Sequence, residues 1–272
     1  MTKKISVLIS IYHKENPLWF REALDSVFAQ TVQPNEIVLV EDGPLTPELY
    51  AVIEEYSQKH PLFNIVKNET NLGLGLALQK GVLVCKNEII ARMDTDDIIP
   101  PHRFETQLRK MEEGYDVVSC WAELFIGAPN NVIAVKTRPE HHCAIAKLAH
   151  KRSPICHAGT VFRKSALLKA GNYQHCKLYE DYHLVARLIM SGAQFYNCQE
   201  VLYSVRVTPE QMNRRSGLDY LKTELAFFKE FKNMGFFSTK DYLMNCAIRV
   251  VVRLMPGKIK QKVLQKVWNH KN

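Results

Sequence analysis

The 272-residue chain has 36 Lys+Arg against 28 Asp+Glu, 46% hydrophobic and 24% charged residues, and a formal net charge of +8. This is the composition of an ordinary globular protein with room for one large domain plus an appendage, and no run approaches the roughly 18 apolar residues of a membrane span. The positive charge is concentrated at the end, where Lys240, Arg249, Arg253, Lys258, Lys260, Lys262, Lys266 and Lys271 face only Asp241; without interleaved stacking aromatics, such a tail excludes a nucleic-acid site and suits an anionic membrane surface.

The N-terminus has Lys3, Lys4 and a short apolar run but no small-residue cleavage site, so residues 5–11 read as the first strand of a cytoplasmic protein rather than a signal peptide. Asn16-Pro17 opens an amphipathic helix with Trp19, Phe20, Ala23, Leu24, Val27 and Phe28 on one stripe. A second strand over 36–40 ends in Glu41-Asp42-Gly43-Pro44, and a helix follows over 47–59. A short strand over 63–67 leads to a helix opened by Asn71-Leu72-Gly73, and an apolar strand then ends at Asp94. Strands alternating with helices predict a parallel sheet covered on both faces.

Beyond Pro101 the pattern predicts a helix with Phe104, Leu108 and Met111 inward, a strand over 115–120, and a hairpin of 121–126 with 132–135. Residues 138–160 read as irregular and substrate-covering. A short strand over 159–162, a helix over 165–170 and a helix beginning at Glu180-Asp181 follow, the last with Leu184, Val185, Leu188 and Ile189 inward. Helical patterns over 213–233, 239–255 and beyond Pro256-Gly257 close the chain, the last with Ile259, Val263, Val267 and Trp268 on its apolar stripe.

In such a sheet, ligands bind beyond the carboxyl ends of the strands. That rule places Tyr12-His13, Glu41-Asp42 and Asp94-x-Asp96-Asp97 along one edge. Clustered carboxylates repel unless a cation lies between them, so the last group reads either as a helix cap or as a site for a hard divalent cation shared with substrate phosphates. Gly73-x-Gly75 lacks the further glycine and the distant acid of a dinucleotide fingerprint, and reads as close helix packing. The seven cysteines are odd in number without a C-x-x-C pair, which points to reduced thiols. The His141-His142-Cys143, Cys156-His157 and His175-Cys176 groups lack zinc spacing.

The segments SVLISIYHKE, VLVEDGP, NETNLGLGLALQKG, IIARMDTDDIIPPHRFETQ, GTVFRKSALLKAGNY and YEDYHLVARLIMSG, in this order over residues 5–206, resemble the inverting family-2 glycosyltransferases of the GT-A fold, especially bacterial enzymes of capsule, exopolysaccharide and O-antigen assembly. The resemblance implies a GT-A domain over 1–210, with a nucleotide-sugar half over 1–120, an acceptor half over 121–210, and a basic helical extension over 211–272. It implies that Ser10, Tyr12, His13, Glu41, Asp42, Asn71, Arg92 and Asp94 bind the nucleotide sugar, a UDP-sugar by expectation. Asp96 with Asp97 would hold Mn2+ or Mg2+, Asp181 would be the catalytic base, and Glu180 would orient the acceptor or that base. His157 and Arg206 would line the donor or acceptor pocket.

The chain departs from the family pattern at several positions. Ser10-Ile11-Tyr12-His13 replaces Pro-Thr-Tyr-Asn, Glu41-Asp42-Gly43-Pro44 replaces Asp-Asp-Gly-Ser, and Ala77-Leu78-Gln79 stands where many members have Ala-Arg-Asn. The missing arginine leaves Arg92, Arg206, Arg214 or Arg215 as substitutes. The Gln-x-x-Arg-Trp signature of processive synthases is absent, which implies transfer of a single sugar. The expected partners are the donor, a polyprenyl-diphosphate-linked glycan acceptor and the inner face of the cytoplasmic membrane. Two other readings stand beside this one. A non-catalytic nucleotide-sugar-binding module conflicts with the presence of Asp181, and a sugar nucleotidyltransferase needs a glycine-rich phosphate loop that SIYHKE lacks.

Overall fold

The computed structural model describes residues 4–176, 178–208 and 218–254. The chain divides into two compact units, Met1–Arg206 and Val207–Asn272.

In the first unit, strands β1 (Ile5–Ile11), β2 (Glu36–Asp42), β3 (Phe63–Asn68) and β4 (Ile89–Met93) alternate with helices α1 (Pro17–Phe28), α2 (Pro47–Lys59) and α3 (Leu74–Val84). Helix α4 (Arg103–Glu112), strands β5 (Val117–Phe125) and β6 (Val132–Lys136), and helix α5 (His142–Ala149) follow. Strand β7 (Val161–Arg163), helices α6 (Lys164–Lys169) and α7 (Glu180–Met190), and strand β8 (Phe195–Arg206) complete the unit.

The eight-stranded sheet runs β3-β2-β1-β4-β7-β5-β6, with β8 alongside β5. β1 pairs in parallel with β2 and β4, and β2 with β3. The expected parallel order holds through the first half and returns where β8 runs parallel to β5; β7 is antiparallel to β4 and β5, and β6 to β5. Ile5, Val7, Ile9 and Ile11 join the core formed with α1 and α2, whereas Leu8 joins the core formed with α3 and α7. The period-two alternation of a strand thus feeds apolar side chains to both faces, and both are covered by helices.

Local chemistry sets the helix starts. Asn16 Oδ1 accepts from the backbone N–H groups of Leu18 (2.9 Å) and Trp19 (3.3 Å), with Pro17 at the first helical position. Gly81 lets α3 lie directly on the sheet, since a Cβ there would come within 2.3 Å of Leu8 Cδ1.

Two sequence expectations are corrected, and one strand was not expected. Residues 142–149 form a helix within the stretch expected to be irregular, because Ile145 and Ala149, four apart and fully buried, give it an inward face. The strand expected over 115–120 and the first arm of the hairpin form one continuous strand, β5. β8 had no sequence prediction: Asn197, Gln199 and Glu200 interrupt its apolar pattern, and its pairing with β5 shifts register around Trp121.

In the second unit, α8 (Leu218–Asn233) and α9 (Thr239–Leu254) pack against each other. Phe227, Phe228, Phe231, Phe236 and Phe237 are buried there, with the rings of Phe227 and Phe231 4.3 Å apart. The start of the helix expected from 213, Arg214 and Arg215, and the helix expected after Pro256 lie outside the described residues.

Candidate functional site

β4 is buried along its length and brings Arg92, 1% exposed, to the carboxyl edge of the sheet. Arg92 Nη1 is ion-paired with Asp94 Oδ1, while Nε has no hydrogen-bond partner. Burial opposes the Arg92 charge, but Asp94, Tyr203 and Tyr173 outweigh it and raise its proton affinity. Beneath lies a buried polar frame. Arg103 donates to the Arg92 carbonyl (2.9 Å) and to Gln107 (2.9 Å), and Gln107 donates to the carbonyls of Val118 (2.9 Å) and Gly159 (2.8 Å).

The turn after β4 alternates. Asp94 and Asp96 are half-buried, whereas Thr95 and Asp97 are buried. The two buried side chains fasten the turn. Thr95 Oγ1 donates to Glu15 (2.8 Å), and Asp97 accepts from the Arg206 backbone N–H (2.9 Å). The Arg206 guanidinium donates to the carbonyls of Asp96 (3.0 Å) and Gly127 (2.8 Å), pairs with Glu22, and lies over the Trp19 and Phe125 rings.

Two of the expected site residues carry framework contacts here. The Asp97 carboxylate, expected beside Asp96 at the metal, holds the end of β8 through one oxygen, and burial together with Asp96 and Asp94 pushes its proton affinity well up. The Arg206 guanidinium, expected at the pocket, makes framework contacts with Asp96, Gly127 and Glu22.

Glu15, which sequence reasoning passed over, sits where the loop after β1 meets this turn. Burial, then Asp96 and Asp94, raise its pKa from 4.5 to about 7, against the opposing Thr95 bond. A carboxyl whose folded pKa lies above its unfolded value stabilises below the unfolded pKa, and that stability is lost as pH rises through the folded one. Wild-type stability therefore falls between pH 4.5 and about 7 through Glu15. Glu15→Gln is expected to raise Tm at pH 8 by roughly 2–6 °C, the gain fading toward pH 5. Equal melting of the two proteins at both pH values in calorimetry would contradict this.

At the neighbouring strand end, Asp42 accepts from the backbone N–H groups of Leu72 (2.9 Å) and Gly73 (2.9 Å) and from Asn68 Nδ2 (3.0 Å). Asn71 Nδ2 returns a bond to the Asp42 carbonyl (3.2 Å). Asp42 and Asn71 thus lock two loops together. Gly43 is required at their junction: its φ is 89°, and a Cβ would come within 2.8 Å of the Asn71 nitrogen. Glu41 is buried and 3.5 Å from Lys67 Nζ. Ser10 and Tyr12 are half-buried and His13 is exposed, with the Tyr12 and His13 rings edge to face at 5.6 Å.

Glu180 and Asp181 occupy the first turn of α7. Gly75 allows the start of α3 to approach, since a Cβ there would lie 3.1 Å from Glu180 Cβ. Burial, then Asp181, raise the Glu180 pKa, and the charges of Arg92 and Asp94 also reach it. Tyr173, fully buried, feels Arg92, Asp181, Glu180 and Asp94 together. Its hydroxyl meets His157 Nε2 at 2.7 Å. Burial, then Arg92, push the His157 pKa well down, which keeps the imidazole neutral. The acids after β4 and those on α7 are therefore close enough to act on the same buried groups, Arg92 and Tyr173, the latter bonded to His157. Ala77 and Leu78, at the missing family arginine, are core residues, and Gln79 donates to the Tyr173 carbonyl (2.6 Å).

Among the described residues, no group of three or more His, Cys, Asp or Glu is placed to hold a metal ion. Mg2+ and Mn2+ at phosphate-transfer sites commonly take one or two carboxylates plus substrate phosphates. Asp94 and Asp96 fit that demand: they are hard oxygen donors whose crowding already raises the proton affinity of Glu15. Arg92 is the cation that compensates Asp94.

The family model of glycosyl transferase family 2 matches residues 6–171. The chain is 38% identical over 264 residues to amylovoran biosynthesis glycosyltransferase AmsE of Erwinia amylovora, covering 96% of this chain and 98% of AmsE. It is 34% identical over 268 residues to an Escherichia coli UDP-Gal:alpha-D-GlcNAc-diphosphoundecaprenol beta-1,3-galactosyltransferase, covering 98% and 97% of the two chains. The fold matches Staphylococcus aureus TarS 1-349 in complex with UDP-GlcNAc with a TM-score of 0.65 at 20% identity, over 85% of this chain and 67% of that one. Against a longer TarS chain the match spans 40% of its length. With its GT-A fold and its relatives in bacterial polysaccharide assembly, the chain belongs to glycosyl transferase family 2.

Proposed function

We propose that this glycosyltransferase is metal-dependent and inverting, and moves one sugar from a UDP-sugar to a hydroxyl of a polyprenyl-diphosphate-linked glycan on the inner face of the cytoplasmic membrane. The observation that carries the reading is the division of acids around one cationic centre. Asp94 and Asp96 stand at the strand end and Glu180 and Asp181 at a helix start, and Arg92, Asp94 and Asp181 are all near enough to act on the buried Tyr173 hydroxyl. Sugar transfer needs the same division, with a stabilised diphosphate on one side and a proton acceptor on the other.

In this mechanism Asp94, and the Glu41, Asp42 and Asn71 loops, seat the nucleotide, with Ser10, Tyr12 and His13 bordering the base. Mn2+ or Mg2+, held by Asp96 with Asp94, would neutralise charge growing on the leaving diphosphate. Arg92 adds a fixed positive charge at the same corner. Asp181 takes the proton of the acceptor hydroxyl as its oxygen attacks the anomeric carbon, and direct displacement inverts that centre. Glu180, whose proton affinity burial and then Asp181 raise, orients the acceptor. His157, held neutral against Tyr173, lines the pocket without competing for that proton. The E. coli relative's printed name, with UDP-Gal and a diphosphoundecaprenol-linked sugar, supports the donor and acceptor classes. No helix among the described residues is long and apolar enough to cross a membrane, so attachment at the surface is the proposed mode.

A thermal-shift screen of UDP-, GDP- and dTDP-sugars tests this. A UDP-sugar near a hundredfold of its Kd is expected to raise Tm by about 5 °C or more with Mn2+, and much less with EDTA. A larger shift from a GDP-sugar, or one indifferent to the metal, would overturn the nucleotide or metal assignment.

A further inference from the structure

In the second unit, α9 has its polarity inverted. The face of α9 that meets α8 carries Arg249 and Arg253, which converge on Glu224, a carboxylate 2% exposed. Arg253 Nε and Nη2 donate to the two Glu224 oxygens at 2.9 and 3.1 Å, and Arg249 Nε lies 3.3 Å away. Asn245 is buried on the same side, and Arg253 stacks 4.6 Å over the Tyr220 ring. The opposite face carries Leu243, Met244, Ala247, Ile248 and Val251, all exposed. Leu243 is 60% exposed, Ile248 50% and Val251 55%.

A helix on a water-soluble surface normally shows the reverse arrangement, with apolar residues inward and charges outward. Burying an ion-paired network costs desolvation and rarely adds stability by itself. An apolar stripe left outside adds a further cost, so such a stripe marks a surface that something covers.

We infer that the outward stripe of α9 is the surface by which this enzyme lies on an anionic bilayer, with Leu243, Met244, Ile248 and Val251 seated among the acyl chains. The inference rests on the peripheral attachment proposed above and adds the surface that makes it. Charge selects the occupant. The chain continues from α9 into residues 255–272, whose charged side chains are Lys258, Lys260, Lys262, Lys266 and Lys271 with no acid. Anionic headgroups complement that run, whereas a second copy of this chain carries the same positive charge. Apolar insertion beside a basic cluster is the combination that holds an interfacial helix.

The test uses full-length protein and co-sedimentation with vesicles of phosphatidylcholine alone or mixed with phosphatidylglycerol. Wild type is expected to bind the anionic vesicles in preference to the neutral ones. The triple variant Met244→Gln, Ile248→Gln, Val251→Ser is expected to lose binding by about tenfold or more, with unchanged helix content and an unchanged thermal shift from the UDP-sugar. A second variant lacking residues 256–272 separates the charge contribution from the stripe, and it too should bind more weakly.

If wild type binds and the triple variant binds equally well, the stripe is not the docking surface, while peripheral attachment stands. If wild type does not sediment with either vesicle, the attachment reading itself falls. A lipid-free dimer that the triple variant dissociates would assign the face to self-association. A lower Tm of the triple variant with unchanged vesicle binding would assign it to the chain's own terminal segment. Either result overturns the inference.

Discussion

Asp181→Asn is expected to lower kcat for sugar transfer by about 10³-fold while changing donor affinity by less than about twofold. The amide keeps the shape of the carboxylate but cannot take the acceptor proton. Glu180 is assigned to orienting the acceptor, and burial and then Asp181 raise its proton affinity. Glu180→Gln keeps the proposed base and the shape of the side chain, and should be the milder lesion. Donor affinity by calorimetry and transfer by product formation separate the two effects. Transfer by Asp181→Asn at the wild-type rate would place the base elsewhere.

Asp96→Ala should weaken UDP-sugar binding in Mn2+ by about 10²-fold and erase the difference between Mn2+ and EDTA. The fold should survive, since the turn is held by neighbours: Thr95 to Glu15, Asp97 to the Arg206 backbone, and Arg206 to the Asp96 carbonyl, a backbone group the substitution keeps. Removing one of three crowded carboxylates should even relieve Glu15, whose raised pKa owes part of its rise to Asp96. The expected result is a stable protein that no longer responds to metal. Donor binding that keeps its full Mn2+ dependence in Asp96→Ala would contradict the assignment.

Much of this site was legible in the sequence because strand ends are. Buried apolar runs followed by acids at residues 41–42 and 94–97, in an alternating strand and helix pattern, fix which edge of the sheet carries chemistry. The individual role of each acid was less legible. Asp94 to Asp97 look equivalent in a motif, yet the turn alternates and sends Asp97 inward to β8, a strand whose apolar pattern is broken by polar residues. Arg206 was named as a pocket cation, and only the contact of residues distant in sequence reveals it as a clamp with Glu22 and Gly127.

Glu15 could have been found, since the same strand-edge rule that selected Tyr12 and His13 reaches it. Tyr173 and Tyr203 could not, because tertiary packing alone brings them to Arg92. The inverted face of α9 was visible only as a helical pattern. Which side meets α8 is decided by Glu224, whose burial no local spacing announces.

The central claim is that one carboxylate base drives a single displacement at the anomeric carbon. Proton NMR of the product of a single turnover, from a UDP-α-sugar and a short-chain prenyl-diphosphate-linked acceptor, tests it directly. The account predicts a β-linked product in the first spectrum after mixing. An α-linked product, formed with retention, would contradict it.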